Sequence, residues 1–293
     1  MILITGATGN NGGEIVKQLL AVDASVRILV RDCQKHAAKI AALEAQGVKV
    51  FQGDLAQPSS LEPALENIER ALLLSSVMPN QVELQGNFIN ASKRAGVKHI
   101  VKFSMLGADV NSPMFLGQWH GQTEKQLESS GIAWTHLQPN DLMQNMQRFV
   151  DTIQTQGTIN LSVQDGKVSM VDARDVAAVA VKALTEPNHE GKTYVVTGAE
   201  ALSYTDVAQK LSAALGKQIR YVDIPPDTAK QAMLQSGMPE WAANMMTTLY
   251  TMESQGSNAE VTNTVVEVTG KEPITFDQFA QTFASTLLSR SAA

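Results

Sequence analysis

An α/β fold on a doubly wound parallel sheet is what this sequence predicts, and three observations predict it. Short apolar runs alternate with helix-period stretches through the first half of the chain. A glycine-spaced turn follows the first of those runs directly. The rhythm then becomes irregular after about Pro139, where a smaller element begins. Parallel neighbours need crossovers long enough to hold a helix, so a strand–helix–strand rhythm implies a parallel sheet covered on both faces. This is the Rossmann arrangement, here expected with a smaller, discontinuous α/β C-terminal lobe.

The runs at 2–5, 26–30, 48–52, 71–75 and 100–104 are rich in Val, Ile and Leu and bounded by turn residues, so they read as buried strands. Helices are expected at 13–21, 33–46, 61–66 and 81–95, and further strands at 134–138 and 193–197. Beyond Pro139, the segments 143–156, 158–161 and 168–171 are shorter, whereas 172–184, 205–215 and 276–288 read as helices. Met, Pro and Gly cluster in 225–256, as expected of loops and helices in a cap. Residues 1–139, with contributions from 168–198, are assigned to a dinucleotide-binding domain, and 140–167 with 199–293 to a small substrate-binding lobe.

Composition narrows the function. Over 293 residues a net charge of −6, with no Lys/Arg run, argues against a nucleic-acid partner. The single cysteine, Cys33, permits no internal disulfide, which favours a reducing, cytoplasmic setting. No apolar run approaches a bilayer-spanning length, and Met1-Ile2-Leu3-Ile4 reads as a strand rather than a leader. The scattered histidines show no metal-ligand spacing.

The glycine spacing Gly6-Ala7-Thr8-Gly9-Asn10-Asn11-Gly12 sits where a phosphate loop must, after a strand and before a helix. Gly6 permits the tight turn, Gly9 lets backbone approach a pyrophosphate, and Gly12 lets helix and strand pack closely, while the helix N-terminus faces the phosphates. At the end of the second strand stands Arg31, where an NAD-selective site would place a carboxylate. Its guanidinium suits a 2′-phosphate, with Lys35 one turn onward, so NADP(H) is preferred. Asp32 is read as the cap of the helix starting at Cys33; pointing inward, it would let NAD(H) compete. Asp54 and Leu55, after the third strand, are placed at the adenine, with a turn cap the alternative for Asp54. Ser75, Ser76 and Val77 should run along the cofactor toward the nicotinamide, because ligands sit at the carboxyl ends of parallel strands.

These motifs resemble a known family. Thr5-Gly6-Ala7-Thr8-Gly9, Val30-Arg31-Asp32, Gly53-Asp54-Leu55, Ala95-Gly96-Val97-Lys98-His99-Ile100 and Ser104-Met105-Leu106-Gly107-Ala108 are similar to the atypical short-chain dehydrogenases of the NmrA-like group. The likeness continues through Glu124–Pro139, Val171-Asp172-Ala173-Arg174-Asp175 and Leu202-Ser203-Tyr204-Thr205-Asp206. It implies a Rossmann domain with a small C-terminal substrate lobe, nearest to bacterial NADPH-dependent quinone, azo-dye and triphenylmethane-dye reductases. Against the Tyr-x-x-x-Lys pair of carbonyl-reducing relatives, Glu124 aligns with the Glu that follows the Lys in extended members. That places His120 at the Lys position and Leu116 at the Tyr position, so the phenol is missing.

An acceptor whose reduced form is delocalised needs less help from a protein acid, which favours a quinone-like or other flat conjugated substrate. His120 is the candidate for the ribose or for a proton relay, and Ser104, at the end of the fifth strand, the candidate to face substrate; each is equally readable as structural. His99 and His136 are read as structural. Pro139 is placed by the cofactor, and Met78, Met105, Trp119 and Met143, with Met114, Phe115, Met146 and Phe149 nearby, as an apolar lining. The alternative is a non-catalytic NADP(H)-binding redox sensor that acts through a regulatory protein partner. A homodimer is compatible with helices flanking such a sheet.

Overall fold

In the computed structural model, which describes residues 1–291, the chain opens with β1 (Ile2–Ile4), α1 (Asn10–Ala21), β2 (Val26–Val30), α2 (Ala37–Glu44) and β3 (Lys49–Gln52). A 3-10 turn, Pro58–Leu61, leads into α3 (Glu62–Leu65), then β4 (Arg70–Leu73), α4 (Gln81–Ala95), β5 (His99–Phe103), α5 (Phe115–Glu128) and β6 (Ala133–Pro139). After a 3-10 stretch at Met143–Phe149 come α6 (Val150–Gln156), β7 (Thr158–Leu161), β8 (Lys167–Val168), α7 (Ala173–Thr185) and β9 (Lys192–Val196). The chain ends with β10 (Leu202–Ser203), α8 (Tyr204–Leu215), β11 (Arg220–Asp223), α9 (Pro226–Gln235), α10 (Glu240–Ser254), α11 (Thr264–Thr269) and α12 (Phe276–Ser291).

Seven strands form one sheet in the order β3-β2-β1-β4-β5-β6-β9, and β1 to β6 pair in parallel. The order reverses at β1, the topological switch point at which such sheets bind ligands. The central strands β1, β2 and β5 are buried at every position, as strands covered on both faces must be. Val, Ile and Leu make up most of them without alternation, with Arg27, His99 and Lys102 the buried polar exceptions. Beneath β4 and α4, Leu73, Phe88, Ile89 and Ile100 close one side of the sheet in a shared apolar cluster.

Two compact units emerge. The first holds Met1–Ser112, Leu116–Gln138 and Ala173–Val195; the second holds Pro113–Phe115, Pro139–Asp172 and Val196–Ala293. The second unit has its own core, in which Met146, Ile159, Val168, Leu211, Phe276 and Phe283 are buried. Two small strand pairs brace it, β7 with β11 in parallel and β8 with β10 antiparallel. α8 starts at a capping box, with Ser203 and Asp206 satisfying each other's backbone N–H, and ends on left-handed Gly216. Among the described residues no helix is long and apolar enough to cross a membrane.

Several boundaries differ from the sequence expectation. α1 begins at Asn10 rather than residue 13, so the last turn of the glycine loop is already helical. α2 begins at Ala37, not Cys33. Asp32 accordingly caps no helix: its Oδ1 accepts the backbone N–H of Lys35 at 2.9 Å in a local turn. An Asx turn offered the backbone a competing partner there, and helix onset is delayed by one turn. The expected helix at 61–66 is split into the 3-10 turn and α3, with Pro63 in the first turn of the helix.

Candidate active site

The phosphate loop follows from three close approaches. Gly6 has φ +68°, and a Cβ there would also meet Leu74 at 2.9 Å, so a side chain is excluded twice over. A Cβ on Gly12 would lie 2.3 Å from the Gly6 carbonyl oxygen, which fixes how near α1 comes to the turn. Gly9 takes the N-cap position of α1 with an extended backbone and no side chain to cap the helix. The amides at the start of α1 are thus left for a ligand, and no acidic residue stands in that first turn to repel an anion. A pyrophosphate fits this cradle.

A cleft of about 410 Å³ opens beside it at the carboxyl ends of β1 to β4. Gly6 and Thr8 line it from the loop, Arg31, Asp32 and Lys35 from beyond β2, and Asp54 and Leu55 from beyond β3. Ser75, Ser76 and Met78 line it from beyond β4, while Val77 points elsewhere and is exposed. Asp54 also caps a turn, its Oδ1 accepting the Ala56 N–H at 2.9 Å. Ser75 is held by Gln85, whose Nε2 donates to its Oγ at 2.9 Å. Thr5 locks the ends of β1 and β4 together, its Oγ1 donating to the Leu74 carbonyl and accepting the Leu74 N–H at 2.7 and 2.8 Å.

Two residues of this region escaped the sequence reading. His36 lines the cleft beside Lys35. Lys39, in the first turn of α2, reaches across to donate to the Thr8 carbonyl at 3.0 Å, and a Cβ on Gly13 would touch its Nζ at 2.9 Å. The cleft therefore has two cations, Arg31 and Lys35, along one rim, with Lys39 beside it at the Thr8 carbonyl. Asp32 is the acid next to them, and its carboxylate is engaged by a backbone amide.

The second constellation is buried between β5, β6 and α5. Residues i and i+2 of a strand share a face, so Lys102 and Ser104 project together toward α5, which carries His120 and Glu124 one turn apart. Lys102 has no exposed surface; its Nζ donates to Ser104 Oγ at 3.1 Å and to His120 Nδ1 at 2.8 Å. The Ser104 hydroxyl bonds Glu124 Oε1, and Gln138 Nε2 donates to both Glu124 oxygens at 3.1 and 3.2 Å. While the Lys102 amine is charged it can only donate, so in that state His120 Nδ1 accepts and the ring proton sits on Nε2.

Burial dominates the electrostatics here. It lowers Lys102 to about 7 against the opposing pull of Glu124. It also takes His120 well below the usual histidine range, with the Lys102 charge adding to the effect. The Glu124 carboxyl is raised by burial, partly offset by its bonds to Ser104 and Gln138 and by Lys102. A neutral imidazole carrying Nε2–H can donate a hydrogen bond at neutral pH.

Leu116, at the position where a phenol would stand, lies on the first turn of α5 and is half-buried. Of the residues read as an apolar lining, Met105 and Trp119 are half-buried in the first unit and Met78 is exposed at the cleft. Met143 instead packs into the core of the second unit, 2% exposed among Met146, Ile159 and Met170. Pro139 is buried at the end of β6.

A family model described as the NmrA-like family matches residues 1–280. The chain belongs to the NmrA-like family. It is 43% identical to the NAD(P)H azoreductase of Xenophilus azovorans, an alignment covering 97% of this chain and 98% of that one. It is 34% identical to quinone oxidoreductase 2 of Escherichia coli, covering 92% and 94% of the two chains. Among solved structures, the NADPH complex of an NADPH-dependent quinone oxidoreductase from Escherichia coli superposes with a TM-score of 0.88 at 31% identity, covering 97% and 99%. The NADP(H) complex of the Citrobacter triphenylmethane reductase gives 0.84 at 25% identity, covering 97% and 100%. The NmrA-like chain thus shares its whole length, both units included, with reductases.

Proposed function

We propose that this NmrA-like protein is an NADP(H)-dependent oxidoreductase that reduces a quinone-like or other flat conjugated acceptor without a Tyr-Lys pair. The observation that carries the reading is the buried His120–Lys102–Ser104–Glu124 cluster, a proton-bearing site with no phenol. When bound, the nicotinamide supplies the hydride. The glycine loop and the N-terminus of α1 hold the pyrophosphate, Arg31, with Lys35 on the same rim and Lys39 beside it, takes the 2′-phosphate, and Leu55 packs against the adenine. Asp32, tied to the Lys35 amide, does not compete for the ribose, which favours NADP(H) over NAD(H).

His120 presents Nε2–H as the donor to an oxygen or nitrogen that gains negative charge, and Ser104, fixed by Glu124, orients His120. Met78, Met105 and Trp119 offer polarizable, apolar contact to a planar guest. The relatives named for azo compounds, quinones and triphenylmethane dyes support an acceptor of that chemistry.

The test is a panel of quinones, azo compounds and triarylmethane cations offered with NADPH and with NADH, following absorbance of the reduced nicotinamide. Acceptor-dependent oxidation, faster with NADPH, is the expected result. Tight NADPH binding with no oxidation across the panel would overturn it and leave the redox-sensor reading.

A further inference from the structure

The two ring nitrogens of His120 face different surroundings. Nδ1 points into the buried cluster, 2.8 Å from Lys102 Nζ and 3.3 Å from Ser104 Oγ. Nε2 has no hydrogen-bond partner among the described residues, which leaves it to a ligand. A neutral imidazole carries one proton, so the group that bonds Nδ1 decides whether Nε2 is presented as N–H or as a bare lone pair.

Ser104 does not make that choice. Gln138 Nε2 donates to both Glu124 oxygens, the arrangement of a carboxylate, which only accepts. The Ser104 hydroxyl therefore gives its single proton to Glu124 and offers lone pairs to Lys102 and His120. Lys102 has no exposed surface, and among the described residues its Nζ bonds only Ser104 and His120. As an ammonium it has protons alone to offer, so Nδ1 is bare and Nε2 carries the hydrogen. As an amine it has a lone pair, and the one proton within reach is a proton on Nδ1, because that of Ser104 is committed. Leaving the buried lone pair unpaired is costly, and Ser104 Oγ adds a second acceptor for the same proton. The ring then changes tautomer, and Nε2 is presented bare.

We propose that Lys102 is a positioning residue that switches the polarity of the site: charged, it makes His120 a hydrogen-bond donor to the acceptor, and neutral, it makes His120 a hydrogen-bond acceptor. The proposal rests on the hydride-transfer reading and adds what turns the site on and off. Hydride from NADPH converts a quinone to the hydroquinone monoanion and leaves NADP⁺. The negative charge ends on an oxygen, and the proton that completes the hydroquinone comes from water. Nε2–H stabilises that oxygen as it gains charge. A bare Nε2 meets it lone pair to lone pair. A triarylmethane cation takes the hydride at carbon and becomes neutral, with no anionic atom formed, so the tautomer matters little to it.

The surroundings place the change in the neutral range. Burial lowers Lys102 to about 7, with Glu124 pulling the other way. His120 is held well below the usual histidine range by burial and by the Lys102 charge, so its ring stays neutral on both sides of the change. The titratable groups facing Lys102 are His120 and Glu124 from α5 and His136 from β6; its β4 register partner is the apolar Leu73. His136, lowered to about 4 chiefly by burial, is neutral across the same range.

The test reads the tautomer directly. Ring 15N shifts separate a protonated from a bare nitrogen, and in protein labelled with 15N-histidine the His120 signals are those lost in His120→Gln. From pH 5 to 9 the wild type should pass from Nε2–H to Nδ1–H near neutrality. Glu124→Gln keeps the shape and removes the charge that supports the ammonium, so the midpoint should move about one pH unit or more toward acid. A ring that keeps one tautomer across the range overturns the proposal. So does a step that vanishes in Glu124→Gln, which would make Glu124 the titrating group. In turnover, kcat with a quinone should fall roughly tenfold from pH 6 to 8, while the rate with a triarylmethane cation falls much less. Equal falls for both acceptors contradict a role in charge stabilisation. Wild-type protein inert to both acceptors would remove the hydride-transfer reading, and the ring shifts would still decide the polarity of His120.

Discussion

Arg31 and Lys102 illustrate what single residues decide. Arg31 lies on the rim of the cleft next to an acid already engaged by a backbone amide. A charge-assisted hydrogen bond is worth about 1.5–3 kcal/mol, so Arg31→Ala should weaken NADPH binding roughly ten- to 100-fold. NADH affinity should change far less, because it lacks the 2′-phosphate; titration calorimetry with both nucleotides checks this. Equal losses for both would mean that Arg31 serves the fold of the loop. Arg31 was legible because its position at a strand end carries chemical meaning. Lys102 was not singled out from the sequence: it stands inside the run read as the strand 100–104, and nothing local says what it meets. Its partner His120 comes from α5, and Gln138, which holds the neighbouring Glu124, comes from β6; only the packing of the sheet and helix brings them together.

At the level of elements, the strands were the readable part. A strand covered on both faces is mostly apolar, and 26–30 matches β2 residue for residue, its one charge, Arg27, being bonded to the Ala64 and Glu66 carbonyls. α5 is the element that hydrophobic periodicity did not reveal. Its inward face is polar, with His120, Thr123 and Glu124 buried, and two of its residues are glycines. Gly117 and Gly121 lower helix propensity but admit the 107–112 loop: a Cβ on Gly121 would stand 2.5 Å from the Asp109 carbonyl carbon. Those substitutions that make the site also disguise the helix. Gly121→Ala tests the balance directly. Alanine gains about 1 kcal/mol of helix propensity, whereas pressing on backbone costs about 1–3 kcal/mol or more. The clash should win, lowering the denaturation midpoint, and a stabilised variant would show that the loop yields freely.

For the molecule as a whole, its buried histidines predict how stability depends on pH. His99 and His136 are both lowered to about 4, in each case chiefly by burial. Each binds fewer protons folded than unfolded between pH 4 and 6.5, so stability rises with pH across that window and is lost as pH falls through it. A shift of that size corresponds to an order of 2–3 kcal/mol per histidine. Glu124, raised by burial, acts with the opposite sign in acid and offsets part of the loss. Asp141 and Glu253, also raised by burial, oppose the histidines in the same way, so the histidine contribution is read by difference: denaturant melts from pH 4 to 7 should show stability rising less steeply with pH in His136→Phe than in wild type. A slope unaltered by that substitution would contradict the buried, neutral imidazole.

The central claim is that a site without a phenol passes a hydride from NADPH to a flat acceptor. The most direct measurement is the rate of acceptor reduction with NADPH deuterated on one or the other face of the nicotinamide C4, under single-turnover conditions. A primary isotope effect from one face only, with the deuterium recovered on the central carbon of a triarylmethane acceptor, is the predicted result. NADPH bound tightly at the cleft, with neither face showing an isotope effect and no label transferred, would contradict it.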